Sequence, residues 1–122
     1  MIAYTLYGTN DIEKAKAFYT ELLAGLGASL QQDFGRVVLF GKSPAEPSFG
    51  ICGPQNGQPA TAGNGTMTSL LASSREAVDS VYAKALELGA TDEGAPGERL
   101  PGMYLAYIRD LDGNKLAFFH AG

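Results

Sequence analysis

Three residues with the chemistry of acid–base or metal sites fall together near the end of the chain, in the stretch YIRDLDGNKLAFFHAG over residues 107–122: Asp110, Asp112 and the protein's one histidine, His120. An imidazole beside two carboxylates is the usual material for proton transfer or for holding a divalent ion. The spacing points elsewhere for the aspartates, because Asp-Leu-Asp-Gly is Asx and glycine turn chemistry and sets a hairpin. The serines form no Ser, His and acid arrangement that sequence can support, and the Gly-Asn-Gly at 63–65 neither follows a strand nor opens a helix as a phosphate loop would. Cys52 has no second cysteine to pair with and reads as a small apolar residue.

Composition narrows the field further. The 122 residues suit one domain with its own hydrophobic core. A net charge of −4, with nine Lys and Arg scattered along the chain, gives no basic stripe for nucleic acid. No charged leader followed by an apolar run marks a secretion signal or membrane span, so neither membrane nor nucleic acid is an expected partner and the cytoplasm is the expected compartment.

The elements that must position any site are announced by a repeat with an offset of 63 residues. YTLYGTNDIEKAKAFYTELLAGLGA begins at Tyr4 and MTSLLASSREAVDSVYAKALELGA at Met67. Each has a short strand, a polar cap, an amphipathic helix and a stop at Leu-Gly-Ala. Asn10 with Glu13 and Ser73 with Glu76 fit the capping-box spacing. Ile12, Ala15, Tyr19, Leu22 and Leu26 recur at helical intervals in the first helix, and Val78, Val81, Tyr82, Ala85 and Leu88 in the second. Gly27 and Gly89 supply the stops. Three strands are expected after each helix, at 29–34, 36–42 and 48–52 and at 91–96, 103–109 and 114–120. The fold class is therefore α+β, a single domain over 1–122 with unit one at 1–52, a Gly- and Pro-rich linker at 53–65 and unit two at 66–122.

A βαβββ unit occurring twice, with NDIEKAKAFYTELLAGLGA, AVDSVYAKALELGATDEGAPGE and the closing YIRDLDGNKLAFFHAG, resembles the vicinal oxygen chelate superfamily of glyoxalases, bleomycin-resistance proteins and extradiol dioxygenases. In the last motif Leu111 stands where the family has proline. The resemblance implies curved mixed sheets forming a cup with the helices outside, a homodimer, and, in metal-dependent members, ligands on four equivalent strands. At those positions this sequence has Tyr4, Met67, Ala117 and, in the fourth, a residue near Gly50. Tyrosine, methionine, alanine and glycine make no coordination sphere for a divalent ion, so neither a metal nor another cofactor is expected.

Strand alternation then selects the cup-facing residues. Tyr4 and Met67 bring Leu6, Ser69 and Leu71 with them, leaving Thr5, Tyr7, Thr68 and Leu70 toward the helices. An Asp110–Gly113 turn is expected to pair Ile108 with Lys115, Ala106 with Ala117 and Tyr104 with Phe119, so that Tyr104, Ala106, Ile108, Lys115 and Phe119 share the face of Ala117. Leu105, Tyr107, Leu116, Phe118 and His120 go to the other side. Arg99, in the loop-like EGAPGERLPG, is within reach of the cup and suited to clamping a carboxylate. The candidate ligand-binding set is thus Tyr4, Leu6, Gly50, Met67, Ser69, Arg99, Tyr104, Lys115, Ala117 and Phe119. Three functions fit it: a metal-free protein binding a small, mostly apolar or aromatic ligand; a metal-independent lyase or isomerase-type enzyme using Tyr4, Tyr104 or Lys115; and an interaction protein whose cup is filled by Leu6, Leu71, Ile108 and Phe119.

Overall fold

A computed structural model describes all residues from Met1 to Gly122 and divides them into two compact units, Met1–Thr61 and Ala62–Gly122. In the first, β1 (Tyr4–Gly8), α1 (Ile12–Ala24), β2 (Ser29–Asp33), β3 (Val37–Gly41) and β4 (Ser48–Cys52) build a four-stranded sheet in the order β1-β4-β3-β2. In the second, β5 (Thr68–Leu71), α2 (Arg75–Glu87), β6 (Thr91–Leu100), β7 (Met103–Arg109) and β8 (Lys115–Ala121) repeat it as β5-β8-β7-β6. Only the β1–β4 and β5–β8 pairs are parallel. The fold is the expected α+β arrangement of two βαβββ units, one helix to each mixed sheet.

The helices begin one residue later than the capping spacing predicts. Asp11, not Asn10, caps α1, its carboxylate accepting the Lys14 N–H at 3.1 Å. Ser74, not Ser73, caps α2, its Oγ accepting the Ala77 N–H at 3.0 Å. Asn10 is engaged elsewhere: its amide oxygen accepts the Ala60 N–H at 2.7 Å and its nitrogen donates to the Ala60 carbonyl, which pins the loop after β4. Both stops hold, with Gly27 and Gly89 at positive φ.

Each helix covers one face of its own sheet. In unit one Ala15, Phe18, Tyr19, Leu22 and Leu23 are buried with Tyr7, Val38, Phe40, Phe49 and Ile51. Tyr19 is at the centre, its ring 5.0 Å from those of Phe18 and Phe49 and 6.3 Å from that of Phe40. Such pairs add about 0.5–1.5 kcal/mol each beyond area burial. In unit two Val78, Val81 and Ala85 of α2 are buried with Ala106, Ile108, Leu116 and Phe118. The opposite face of each sheet carries no helix of its own unit.

The register of the β7–β8 hairpin departs from the expected one by a single residue. Arg109 pairs with Lys115, Tyr107 with Ala117, Leu105 with Phe119 and Tyr104 with His120. The cause lies in the turn. The buried Asp110 carboxylate accepts the N–H groups of Asp112 and Asn114, both at 2.9 Å, and the Asn114 side-chain amide at 3.1 Å. The Asp110 N–H donates to the Asn114 carbonyl at 2.8 Å, closing a three-residue loop in which Gly113 takes φ +87°. Asp110 is thereby held opposite Asn114, and every pair along the ladder follows.

A one-residue slip exchanges the faces of a strand. Tyr104, Ala106 and Ile108 therefore lie on the helix side, and Leu105 and Tyr107 take their place on the other. Residues on β8 keep the expected faces, with Lys115, Ala117 and Phe119 away from the helix and Leu116, Phe118 and His120 toward it. The EGAPGERLPG stretch is also not a loop: β6 runs on to Leu100 as an edge strand, with register shifts that absorb its glycines and Pro96.

Candidate functional site

On the helix-free face of unit one, Tyr4 and Leu6 stand on the edge strand β1, 55% and 38% exposed. Tyr4 is beside Ser48, and Leu6 beside Gly50, which is in turn beside Leu39. A bulge between Leu30 and Gln32 interrupts β2, and both Gln31 and Gln32 reach the same recess. That recess, about 260 Å³, is lined by Tyr4, Gln31, Gln32, Leu39, Glu46 and Ser48. It is close to the lower end of small-molecule pocket volumes and mixes apolar walls with amide, hydroxyl and carboxylate groups. The two glutamines were not legible as site residues, because nothing local announces the bulge. A second recess of about 360 Å³ opens at the start of α1, where Asn10 and Arg36 already bond to the Ala60 and Gly53 backbone.

Unit two presents its helix-free face as three cross-strand rows. Leu71, Phe119, Leu105 and Gly97 form the first, Ser69, Ala117, Tyr107 and Gly94 the second, and Lys115, Arg109 and Thr91 the third. Met67 immediately precedes β5 and is 44% exposed; Leu71 is 65% exposed. Ala117 is fully buried. The Lys115 ammonium lies 5.2 Å and the Arg99 guanidinium carbon 5.4 Å from the Tyr107 ring centroid. Arg109 is held by Glu93 at 3.0 Å.

Tyr104 is not part of that face. Its hydroxyl donates to Asp79 of α2 at 2.7 Å, and the Arg75 guanidinium sits 4.8 Å above its ring. The hydrogen bond to Asp79 raises the Tyr104 pKa above the ordinary tyrosine value, with smaller contributions from burial and from the Asp79 charge. Arg75 also bonds Glu98 and the Gly122 carbonyl, so Tyr104 belongs to a network that fastens α2 to its sheet. Tyr107, three residues along the same strand, takes the open-face place expected for Tyr104, while Tyr4 stands on the helix-free face of its own unit as expected. The missed signal was the Asp110–Asn114 pairing. His120 lies on the helix side, Nδ1 3.1 Å from the Ala72 carbonyl oxygen.

The four positions that the resemblance singled out, Tyr4, Gly50, Met67 and Ala117, carry no imidazole or carboxylate and do not fit a divalent metal. No three His, Cys, Asp or Glu side chains come together anywhere in the chain. At Gly50 there is no room for a ligating side chain: a Cβ would stand 2.6 Å from Leu39 Cδ2, 2.8 Å from Leu6 Cδ2 and 2.7 Å from the Val38 carbonyl oxygen.

The family model described as Glyoxalase/Bleomycin resistance protein/Dioxygenase superfamily matches residues 1–118. The chain belongs to this superfamily. It is 41% identical to a glyoxalase/bleomycin resistance protein from Albidiferax ferrireducens T118, covering 100% of this chain and 99% of that one, with a TM-score of 0.92. Two more distant structures share the superfamily fold. One is the hypothetical protein SA1046 from S. aureus, 23% identical with a TM-score of 0.74 over 99% of this chain and 93% of that one. The other is a glyoxalase/bleomycin resistance protein/dioxygenase family enzyme from Burkholderia phytofirmans PsJN, 19% identical with a TM-score of 0.77 over 98% of both chains. Among proteins of curated function, none matches. No helix in this superfamily member is long and apolar enough to cross a membrane.

Proposed function

We propose that this member of the superfamily binds a small, mostly apolar or aromatic molecule on the helix-free sheet faces, works without a metal, and acts as a homodimer. The observation that carries the metal-independent part is Gly50. Leucine methyl groups from Leu6 and Leu39 occupy the space a ligating side chain needs, and Tyr4, Met67 and Ala117 offer no imidazole or carboxylate to compensate. The binding part rests on the surfaces themselves. Tyr4, Leu6, Met67 and Leu71 remain exposed, and the Tyr4 recess adds a few polar groups to an apolar wall.

A filled-cup interaction protein is disfavoured, since Ile108 packs toward α2 and Leu71 is exposed. An enzyme using Tyr104 is disfavoured because that hydroxyl is committed to Asp79.

Chemical-shift mapping of a fragment library on the intact protein tests the proposal. Binders should perturb Tyr4, Leu6 and Gln32 or Ser69, Leu71 and Phe119, and protein purified without chelator should contain far less than one transition-metal ion per chain. A tightly held stoichiometric ion, or a screen in which no fragment touches these faces, would overturn the reading.

A further inference from the structure

Gly94 and Gly97 do more than loosen an edge strand. A Cβ on Gly97 would stand 2.6 Å from Arg99 Nη1, and one on Gly94 would stand 3.2 Å from Arg99 Nη2 and 2.8 Å from Tyr107 Cδ2. The two missing side chains leave a shelf, and the Arg99 guanidinium lies on it over the Tyr107 ring. Its Nη2 donates to the Ala95 carbonyl, which fixes the group without neutralising it. Arg75 and Arg109, by contrast, are each paired with a glutamate at 3.0 Å.

An arginine held on an aromatic ring, with a neutral acceptor as its hydrogen-bond partner and further N–H donors in its fork, is preorganised for a planar oxyanion. Preorganisation matters because little side-chain entropy remains to be lost when the anion arrives. The rows of the sheet add a second constraint. Phe119 and Leu71 lie in the row of Gly97, toward the apolar end of the face, and Phe119 is two strands across from β6, about 10 Å. A cation at one side of the face and an apolar wall at the other match an amphiphilic organic acid.

We propose that Arg99 is the specificity-determining residue of this face and that the ligand is a small organic acid, its carboxylate on Arg99 and its apolar or aromatic part along Phe119 and Leu71. The inference rests on the ligand-binding reading above and deepens it by naming the ligand's charge.

Phenylacetate, 3-phenylpropionate and 4-phenylbutyrate, each paired with its neutral primary amide, make the test, with Kd read from amide shift titrations at low salt. The wild type should bind at least one carboxylate about tenfold more tightly than its amide, with shifts at Arg99, Tyr107 and Phe119. Arg99→Gln should abolish that preference, chiefly by weakening the carboxylate's binding. Gly97→Ala, which keeps the charge but displaces the guanidinium, should weaken the preference as well. Amides and acids that bind this face equally, or a preference that survives Arg99→Gln, would overturn the inference and leave the binding reading standing. If neither form perturbs either helix-free face, both fall.

Discussion

Ala117 and Gly50 stand at two of the positions where the superfamily resemblance would put metal ligands, and neither residue has a side chain that can coordinate an ion. Ala117 has no accessible surface, so a larger group there must displace its neighbours. Restoring a carboxylate with Ala117→Glu should cost at least about 2 kcal/mol, since overpacking alone costs about 1–3 kcal/mol and an unpaired buried charge adds to it. Urea unfolding measures the loss. Added Zn²⁺ or Fe²⁺ should not restore stability, because the cross-strand row of Ala117, with Ser69, Tyr107 and Gly94, holds no imidazole or carboxylate to join it; full recovery with metal would show that a latent site exists. That neither residue type can ligate a metal was legible from the sequence alone. The leucine methyl groups that close over Gly50 were not, because Leu39 and Leu6 meet there only once β3 and β1 flank β4.

The two helices show how far local chemistry carries. Their existence, faces and glycine stops follow from spacing, yet the caps sit one residue past the expected ones. Asp11→Ala and Ser74→Ala should each lower stability by about 1 kcal/mol through loss of a bond to an otherwise free N–H. Ser73→Ala should be close to neutral, and Asn10→Ala should act through the Ala60 loop, read as faster hydrogen exchange at Ala60. Equal losses for Ser73→Ala and Ser74→Ala would count against the assignment. The capping reading failed at Asn10 for a physical reason: its partner is 50 residues away in sequence, and no local pattern encodes it. The β7–β8 hairpin failed similarly. Its turn residues were recognised, but the carboxylate of Asp110 chose which residue stood opposite, and that choice moved Tyr104 off the candidate face and Tyr107 onto it.

Stability against pH belongs to the whole molecule, where ion pairs and phenols from both units contribute. Glu98 is held below its ordinary carboxylate value, first by the Arg75 hydrogen bond and then by the Gly102 N–H. Asp33 is lowered first by the Gly35 N–H and then by Lys16. These contributions are complete above the unfolded values, near pH 4, and are lost as pH falls through the lower folded ones. Tyr104 and Tyr82 are raised, each chiefly by a hydrogen bond to an aspartate, and Lys16 by its bonds to Asp33 and Glu13. Their contributions are complete below about pH 10 and fade as pH rises through the higher folded values. The curve should therefore decline at both extremes and flatten in high salt, since these groups are exposed. Tyr82→Phe with Tyr104→Phe should soften the alkaline limb, and Arg75→Gln the acid one; variants with unchanged limbs would refute the attribution.

The sequence by itself determined the two βαβββ units, the identity of their helices and most strands, and the absence of ligand-type residues at Tyr4, Gly50, Met67 and Ala117. Periodicity, glycine stops and residue type are local properties, and these features depend on nothing else. Only the tertiary structure decided which side chains share a face. The bulge at Gln31, the Asp110–Asn114 pairing and the seat of Arg99 on Gly94 and Gly97 all depend on a strand partner, and a shift of one residue in that partner turns a side chain from the core to the open face.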